Sequence, residues 1–193
     1  MTDIIYIPCG DGKFVYLSVI TDACTRQVLS YVYSCSLEVD FVLETVNKLV
    51  KNHGNTLNLN EKTLFHSDQG FHYTSFALID LVKEYGLRQS MSRKANCWDN
   101  APQESFFGHM KDEVNFFGMS VKEIYDKIDD WMYYYNNERY VWDLEKLSPN
   151  EYYEWLSTGI YPLTYIGGSA LKPPEFTAFV FQSDEENEKG GDN

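Results

Sequence analysis

A chain of 193 residues that is 44% hydrophobic and 23% charged has material for one globular domain with a real core. It holds no apolar run of the ~18 residues that a membrane helix needs, and its start, MTDIIYIPCGDGK, has neither the basic region nor the small-residue cleavage site of a signal peptide, which predicts a soluble cytoplasmic protein. Sixteen Lys and Arg against 29 Asp and Glu give a net charge of -13, which excludes a protein that grips nucleic acid over its whole surface but leaves room for a local basic track.

Three runs of β-branched and aromatic residues come first, TDIIYIP, KFVYLSVIT and RQVLSYVYS, separated by the turn-type sequences CGDG and DACT. They predict a three-stranded antiparallel meander, with GDG at 10–12 as a hairpin turn and not a phosphate loop. Ser36 is placed to cap a helix with Glu38 and Asp40 in its first turn, Val42, Val46, Leu49 and Val50 among its apolar positions, and Gly54 as its stop. KTLFH reads as a short buried strand. Thr74 or Ser75 then caps a helix from about Ser75 to Tyr85 that Gly86 ends, and LRQS reads as one more short strand. The segment MSRKANCWDNAPQ has neither period and reads as a functional loop.

Helices follow. From about Gln103, Phe106, Phe107, Met110, Val114 and Phe117 line one face at 100° per residue, while Glu104, Gly108, Lys111 and Asn115 line the other. Ser120 with Glu123 is a capping box ahead of Ile124, Ile128, Trp131 and Tyr135, and Ser148 with Glu151 is a second, with Pro149 at the favoured first helical position. Trp131, Tyr135 and Trp142 read as core aromatics, and Asn136 and Arg139 as ties between helices. The order is β-β-β-α-β-α-(β)-loop-α-α-α, an α/β mixed sheet flanked by helices. The core is expected over 1–158, and an irregular extension with an acidic, disordered tail over 159–193. Cys9, Cys24, Cys35 and Cys97 fall in no C-x-x-C pair and read as reduced thiols.

Three acids stand where a metal would want them. Asp3 lies in the first strand, and Asp68 leaves the strand KTLFH just before Gly70 and a helix cap, at the kind of strand edge where open α/β sheets bind ligands. Glu104 opens a helix and shares its polar face with Lys111. Sixty-four residues separate Asp3 from Asp68, and 35 separate Asp68 from Glu104. Taken singly, each acid also reads as a surface or capping carboxylate, and the helix face as a solvated one. His66, His72 and His109 are candidate ligands or general acids, His66 foremost because it adjoins Asp68. Arg88, Arg93, Lys94 and Lys111 form the one basic concentration near the loop, with Trp98 as a surface on which a base could stack.

The D, D-x35-E spacing, with HSDQGFHYTS around Asp68, MSRKANCWDNAPQESFFGHMKDE around Glu104 and YYNNERYVWDLEKLSPNEY downstream, resembles the catalytic core of bacterial insertion-sequence transposases. The kind is the second-reading-frame product, in the retroviral integrase superfamily, and the resemblance runs from Thr2 to about Trp155. It implies an RNase H-like mixed sheet, three antiparallel strands plus parallel ones, and a catalytic, metal-binding triad of Asp3, Asp68 and Glu104 that holds two Mg²⁺ or Mn²⁺ ions. It also implies metal-dependent DNA cleavage and strand transfer, with Lys111, Arg93, Lys94 and Trp98 as DNA contacts and Asp22 and Arg26 as structural residues. The partners implied are DNA, as element ends and target, and a second copy or a full-length transposase. Physical chemistry agrees, because like charges at about 4 Å repel by a few kcal/mol even at an effective dielectric near 20, and a divalent cation relieves three converging carboxylates. Two ions can then serve an in-line phosphoryl transfer with no serine, cysteine or histidine nucleophile.

The chain departs from that pattern in Ala95, in Val141, in its acidic tail, and in a start only two residues ahead of Asp3, where relatives carry more of the first strand and a helical DNA-binding segment. These departures predict an N-terminally shortened protein. The alternative function is a non-catalytic transposase remnant or regulator that binds DNA or a full-length partner. A third reading, a nuclease acting on RNA–DNA hybrids, is disfavoured by the loop motif.

Overall fold

In the computed structural model, residues 1–57, 63–92, 101–163 and 174 are described. Strands β1 (Thr2–Pro8), β2 (Phe14–Thr21) and β3 (Val28–Ser34) form the antiparallel meander, with Asp3 opposite Val19 and Pro8 opposite Phe14. The first hairpin closes at Gly12, whose φ of 81° suits glycine, and the Gly12 N–H bonds to the Cys9 carbonyl at 3.1 Å. The second closes on Asp22, whose Oδ1 accepts from the backbone N–H of Cys24 and Thr25 at 3.0 and 2.7 Å and from the Thr25 hydroxyl at 3.0 Å. Arg26 follows in the left-handed region at φ 62°. Both residues act structurally in this turn.

Helix α1 (Val39–His53) then leads to β4 (Leu64–Ser67), α2 (Phe76–Glu84) and β5 (Arg88–Met91). β4 and β5 pair in parallel, Leu64 opposite Arg88. β4 also lies beside β1, but among the described residues no paired positions join the three-stranded ladder to the two-stranded one. Alternation along β1 sorts the core into two layers. Ile5 and Ile7, with Val15, Leu17 and Val19 of β2, pack under α3 (Ala101–Glu113) and α4 (Val121–Asn137) against Phe106, Met110, Ile128 and Trp131. Ile4 and Ile20 lie in the other layer, with Phe41 and Val46 of α1 and Leu78 and Val82 of α2. Asp3 shares the parity of Ile5 and Ile7, and so belongs to the α3 side of β1.

The capping boxes form as expected. The Ser120 side chain accepts from the Glu123 N–H at 3.4 Å while Glu123 Oε2 takes the Ser120 N–H at 2.8 Å. Ser148 and Glu151 exchange the same two bonds at the start of α5 (Pro149–Thr158). Three expectations fail. α1 starts at Val39, three residues after Ser36, with Glu38 as an N-cap that makes no side-chain bond, and Ser36 stands in the turn before it with its N–H donated to Ser34 Oγ at 2.9 Å. α3 stops at Glu113, so the helical phase is lost beyond it: Phe116 enters the core and Phe117 is 92% exposed. Trp142 is 80% exposed in a 3₁₀ turn (Trp142–Leu144), where Leu144 and Leu147 take the buried places and Lys146 lies 5.0 Å over the indole.

Asn136 ties α4 to a strand and not to a helix, accepting from the Val28 N–H at 2.8 Å and donating to the Val28 carbonyl at 2.9 Å. Arg139 does join helices: its Nε meets Glu113 Oε1 at 2.8 Å, while Glu113 Oε2 takes the Trp131 indole N–H at 3.0 Å. Cys9, Cys24 and Cys35 are free thiols, and Cys97 lies outside the described residues. Met1–Tyr153 form one compact unit, and a second begins at Glu154. Among the described residues no helix is long and apolar enough to cross a membrane.

Candidate active site

Asp3 and Asp68 reach the same neighbourhood by different routes. Asp3 is the second residue of β1, half-buried, with its Oδ1 accepting the Ile4 N–H at 2.7 Å. Asp68 is the first residue past β4, also half-buried, and its Oδ1 accepts the Gly70 N–H at 2.8 Å. A Cβ on Gly70 would stand 2.9 Å from that oxygen, so any larger residue would push the carboxylate aside. The turn then carries the chain into α2, where Ser75 caps the helix by accepting from the Leu78 N–H at 3.4 Å.

The charges of both acids reach the buried phenol of Tyr73. Burial first, and then the charges of Asp3 and Asp68, push its pKa well above the ordinary value, against the opposing pull of a hydrogen bond to Thr2. The phenol therefore stays neutral under the influence of both carboxylates.

Glu104 arrives on α3, which packs against β1. The preceding residue, Gln103, is fully buried, and its Oε1 accepts the Thr21 hydroxyl at 2.7 Å. The Thr21 N–H in turn bonds to the Met1 carbonyl at 2.8 Å, so the first turn of α3 is stapled to the end of the hairpin where β1 begins. Glu104, Gly108 and Lys111 are all exposed, and a Cβ on Gly108 would meet nothing within 4 Å, which leaves this helix face open. Asn115, which shares their phase in the sequence, lies beyond the end of α3.

Carboxylate oxygens are the donors Mg²⁺ and Mn²⁺ take, and Asp3 and Asp68 fit as such ligands. Among the described residues, however, no three His, Cys, Asp or Glu side chains come close enough together to hold one ion. Asp3 and Asp68 come from the neighbouring strands β1 and β4, and Glu104 stands on the helix packed against β1 without completing a set of three.

The histidines serve other ends. His66 Nδ1 meets Ser90 Oγ at 3.1 Å across the parallel pair, and the buried His72 places Nε2 3.1 Å from the Leu37 carbonyl. His109 is exposed on α3 and Arg88 on β5. Arg93, Lys94 and Trp98 lie outside the described residues. Sequence reasoning missed Thr2, Tyr73 and Gln103. The one available signal was Thr2, a polar residue with the parity of the apolar Ile4.

A family model described as integrase core domain matches residues 1–97, and a second of the same description matches residues 104–155. The chain is 36% identical over 144 residues to the putative transposase InsK for insertion sequence element IS150 of Escherichia coli, covering 74% of this chain and 50% of that protein. It is 34% identical over 154 residues to an uncharacterized transposase-like protein of Haemophilus influenzae, covering 78% of this chain and 68% of that one. A transposase for element IS904 of Lactococcus lactis is 29% identical over 162 residues, with 80% and 60% covered. The chain thus spans about half the length of the first of these relatives and about two thirds of the second.

Among solved structures, the catalytic core domain of HTLV-2 integrase, determined with magnesium, superposes with a TM-score of 0.56 at 13% identity, covering 77% of this chain and 90% of that one. A chain of the simian T-cell lymphotropic virus intasome superposes with a TM-score of 0.62 at 11% identity, covering 88% and 59%. At such identities the likeness is one of fold, and it agrees with the RNase H-like arrangement of a three-stranded meander beside a parallel pair. On the family models and the identity to insertion-sequence transposases together, the chain belongs to the integrase core domain family.

Proposed function

We propose that this chain is the catalytic domain of a DNA transposase, cutting and joining DNA with divalent metal ions held by Asp3, Asp68 and Glu104. The observation that carries the reading is that β1, which holds Asp3, lies beside β4, which ends at the residue before Asp68, so that two carboxylates with 64 residues between them in the sequence come from neighbouring strands. Two Mg²⁺ or Mn²⁺ ions at such a site supply positive charge to the phosphate under attack and to the leaving oxygen. The protein's share is to hold those ligands, to keep the Asp68 oxygen in place through Gly70, and to present Glu104 and Lys111 on one open helix face.

Lys111 binds a DNA phosphate there, with Arg93, Lys94 and Trp98 extending the contact along the strand. A local track of this kind is what a chain of net charge -13 needs in order to approach DNA. The DNA comprises element ends and target, and the working assembly is a second copy of this chain or a full-length transposase, in the bacterial cytoplasm. Residues 1–158 form the catalytic core and 159–193 an extension to it. One observation favours a second reading, a regulator that binds DNA or a full-length partner without cutting: no three ligands are gathered among the described residues.

Thermal unfolding with and without Mn²⁺ tests the site. At a metal concentration of 100 times Kd, linkage adds about 2.7 kcal/mol, which for a chain of this size raises Tm by roughly 5–11 °C. Asp68→Asn removes most of that rise. An unchanged Tm in millimolar Mn²⁺ sinks the catalytic reading, while a metal response with no strand joining on element-end DNA selects the regulator.

A further inference from the structure

We infer that Tyr73 is a positioning residue for the metal-binding carboxylates, its buried hydroxyl joining β1 to the Asp68 turn so that Asp3 and Asp68 keep a fixed relation. The inference rests on the metal-binding role proposed for those acids. Its starting point is a gap in the sheet: β1 and β4 deliver the two acids, yet no paired positions join their ladders among the described residues, so backbone pairing does not set the distance between them.

Tyr73 spans that gap. Its hydroxyl lies 3.3 Å from Thr2 Oγ1, and both residues are at most 2% exposed. Thr2 immediately precedes Asp3. On the other side, the Tyr73 N–H donates to the Gly70 carbonyl at 3.0 Å, and the Gly70 N–H donates to Asp68 Oδ1 at 2.8 Å. The tyrosine's own carbonyl accepts from Gln89 Nε2 of β5 at 2.7 Å, which fixes the residue against the parallel pair. A continuous path therefore runs from Asp3 through Thr2, Tyr73 and Gly70 to Asp68, with the phenol crossing from one ladder to the other.

The chemistry of the pocket makes the hydroxyl informative. The ring packs in an apolar layer with Phe65, Leu78, Val82 and Leu87, where phenylalanine would fill the same space. The 3.3 Å contact is longer than the usual range for a hydroxyl pair, so it adds little to the stability of the fold. Its value lies in orientation, as with the outer partners that set metal ligands elsewhere.

The test uses the full chain and Mn²⁺ as the probe. Isothermal calorimetry gives the Mn²⁺ affinity, and thermal unfolding without metal gives the stability of the fold. Tyr73→Phe and Thr2→Val are each expected to weaken Mn²⁺ binding by about 10-fold or more and, because each leaves the other's buried hydroxyl without its partner, to lower the metal-free Tm, whereas the double variant is expected to recover that Tm with Mn²⁺ binding still weakened. The double variant is expected to be no worse than either single one, since both remove the same bond, and Thr2→Ser is expected to restore binding. Should Tyr73→Phe fail to fold, Thr2→Val carries the same comparison. Mn²⁺ affinity within twofold of the parent in Tyr73→Phe or Thr2→Val overturns the inference and leaves the metal site standing. A parent that binds no Mn²⁺ overturns both.

Discussion

Gln103 offers an unusual test of how the first turn of α3 is held. Its side chain is fully buried, its Oε1 takes the Thr21 hydroxyl at 2.7 Å, and its Nε2 is buried with no acceptor among the described residues. A buried donor left unmade costs about 1–3 kcal/mol, whereas replacing both members of a buried polar pair by apolar groups of similar shape is neutral or stabilising. Gln103→Leu alone removes the orphaned amide but strands the Thr21 hydroxyl, two effects of similar size and opposite sign. Thr21→Val alone strands the Gln103 oxygen beside its idle nitrogen and should cost about 1–3 kcal/mol. Together the two substitutions should stabilise the protein by about 1–3 kcal/mol, a rise in Tm of roughly 2–12 °C for a chain of this size. Urea unfolding of the four proteins in the cycle measures it, with the midpoint moving at constant m and the two substitutions far from additive. A double variant less stable than the parent by more than about 1 kcal/mol would mean that Nε2 has a partner in solution, and the reasoning would fail.

Three further outcomes follow from the geometry. Asn136→Ala takes away both bonds to the Val28 backbone and should destabilise by about 2–4 kcal/mol in urea unfolding, and a loss below about 1 kcal/mol would indicate that water replaces the amide. Hydrogen bonds from Ser120 hold the Glu123 carboxyl below its usual pKa, so its contribution is present above the ordinary glutamate range and is lost as the pH falls through the lowered folded-state value; Ser120→Ala should lower Tm at pH 7 and progressively less in acid, and a pH-independent difference would contradict the linkage. Lys111→Ala should reduce the salt dependence of DNA binding by about 0.9 in log–log slope while Glu104→Gln spares binding, and equal losses in both would deny the division of roles on that helix face.

What could be read in the sequence was governed by rules that act over a few residues. The two capping boxes need only a serine and a glutamate three apart, and the Gly12 and Asp22 turns only their own backbone demands. The motif around Asp68 was legible for the same reason, since Gly70 must be small for the carboxylate to sit over the turn.

Where the chain had to stop one element and start another, local pattern misled. The apolar phase of α3 continued on paper through Phe117, but the helix ends at Glu113 and Phe116 is the residue buried. Trp142 had the composition of a core residue and lies exposed, because a 3₁₀ turn gives the interior to Leu144 and Leu147. The links that hold the acids are more remote still: Tyr73 meets Thr2 across 71 residues, and Gln103 meets Thr21 across 82. No period or cap encodes such contacts, since they depend on how α2 and α3 dock against strands formed far earlier in the chain. Local pattern sufficed for most of the elements and for the candidate acids, whereas the polar side chains that stand behind those acids follow from packing between segments and not within them.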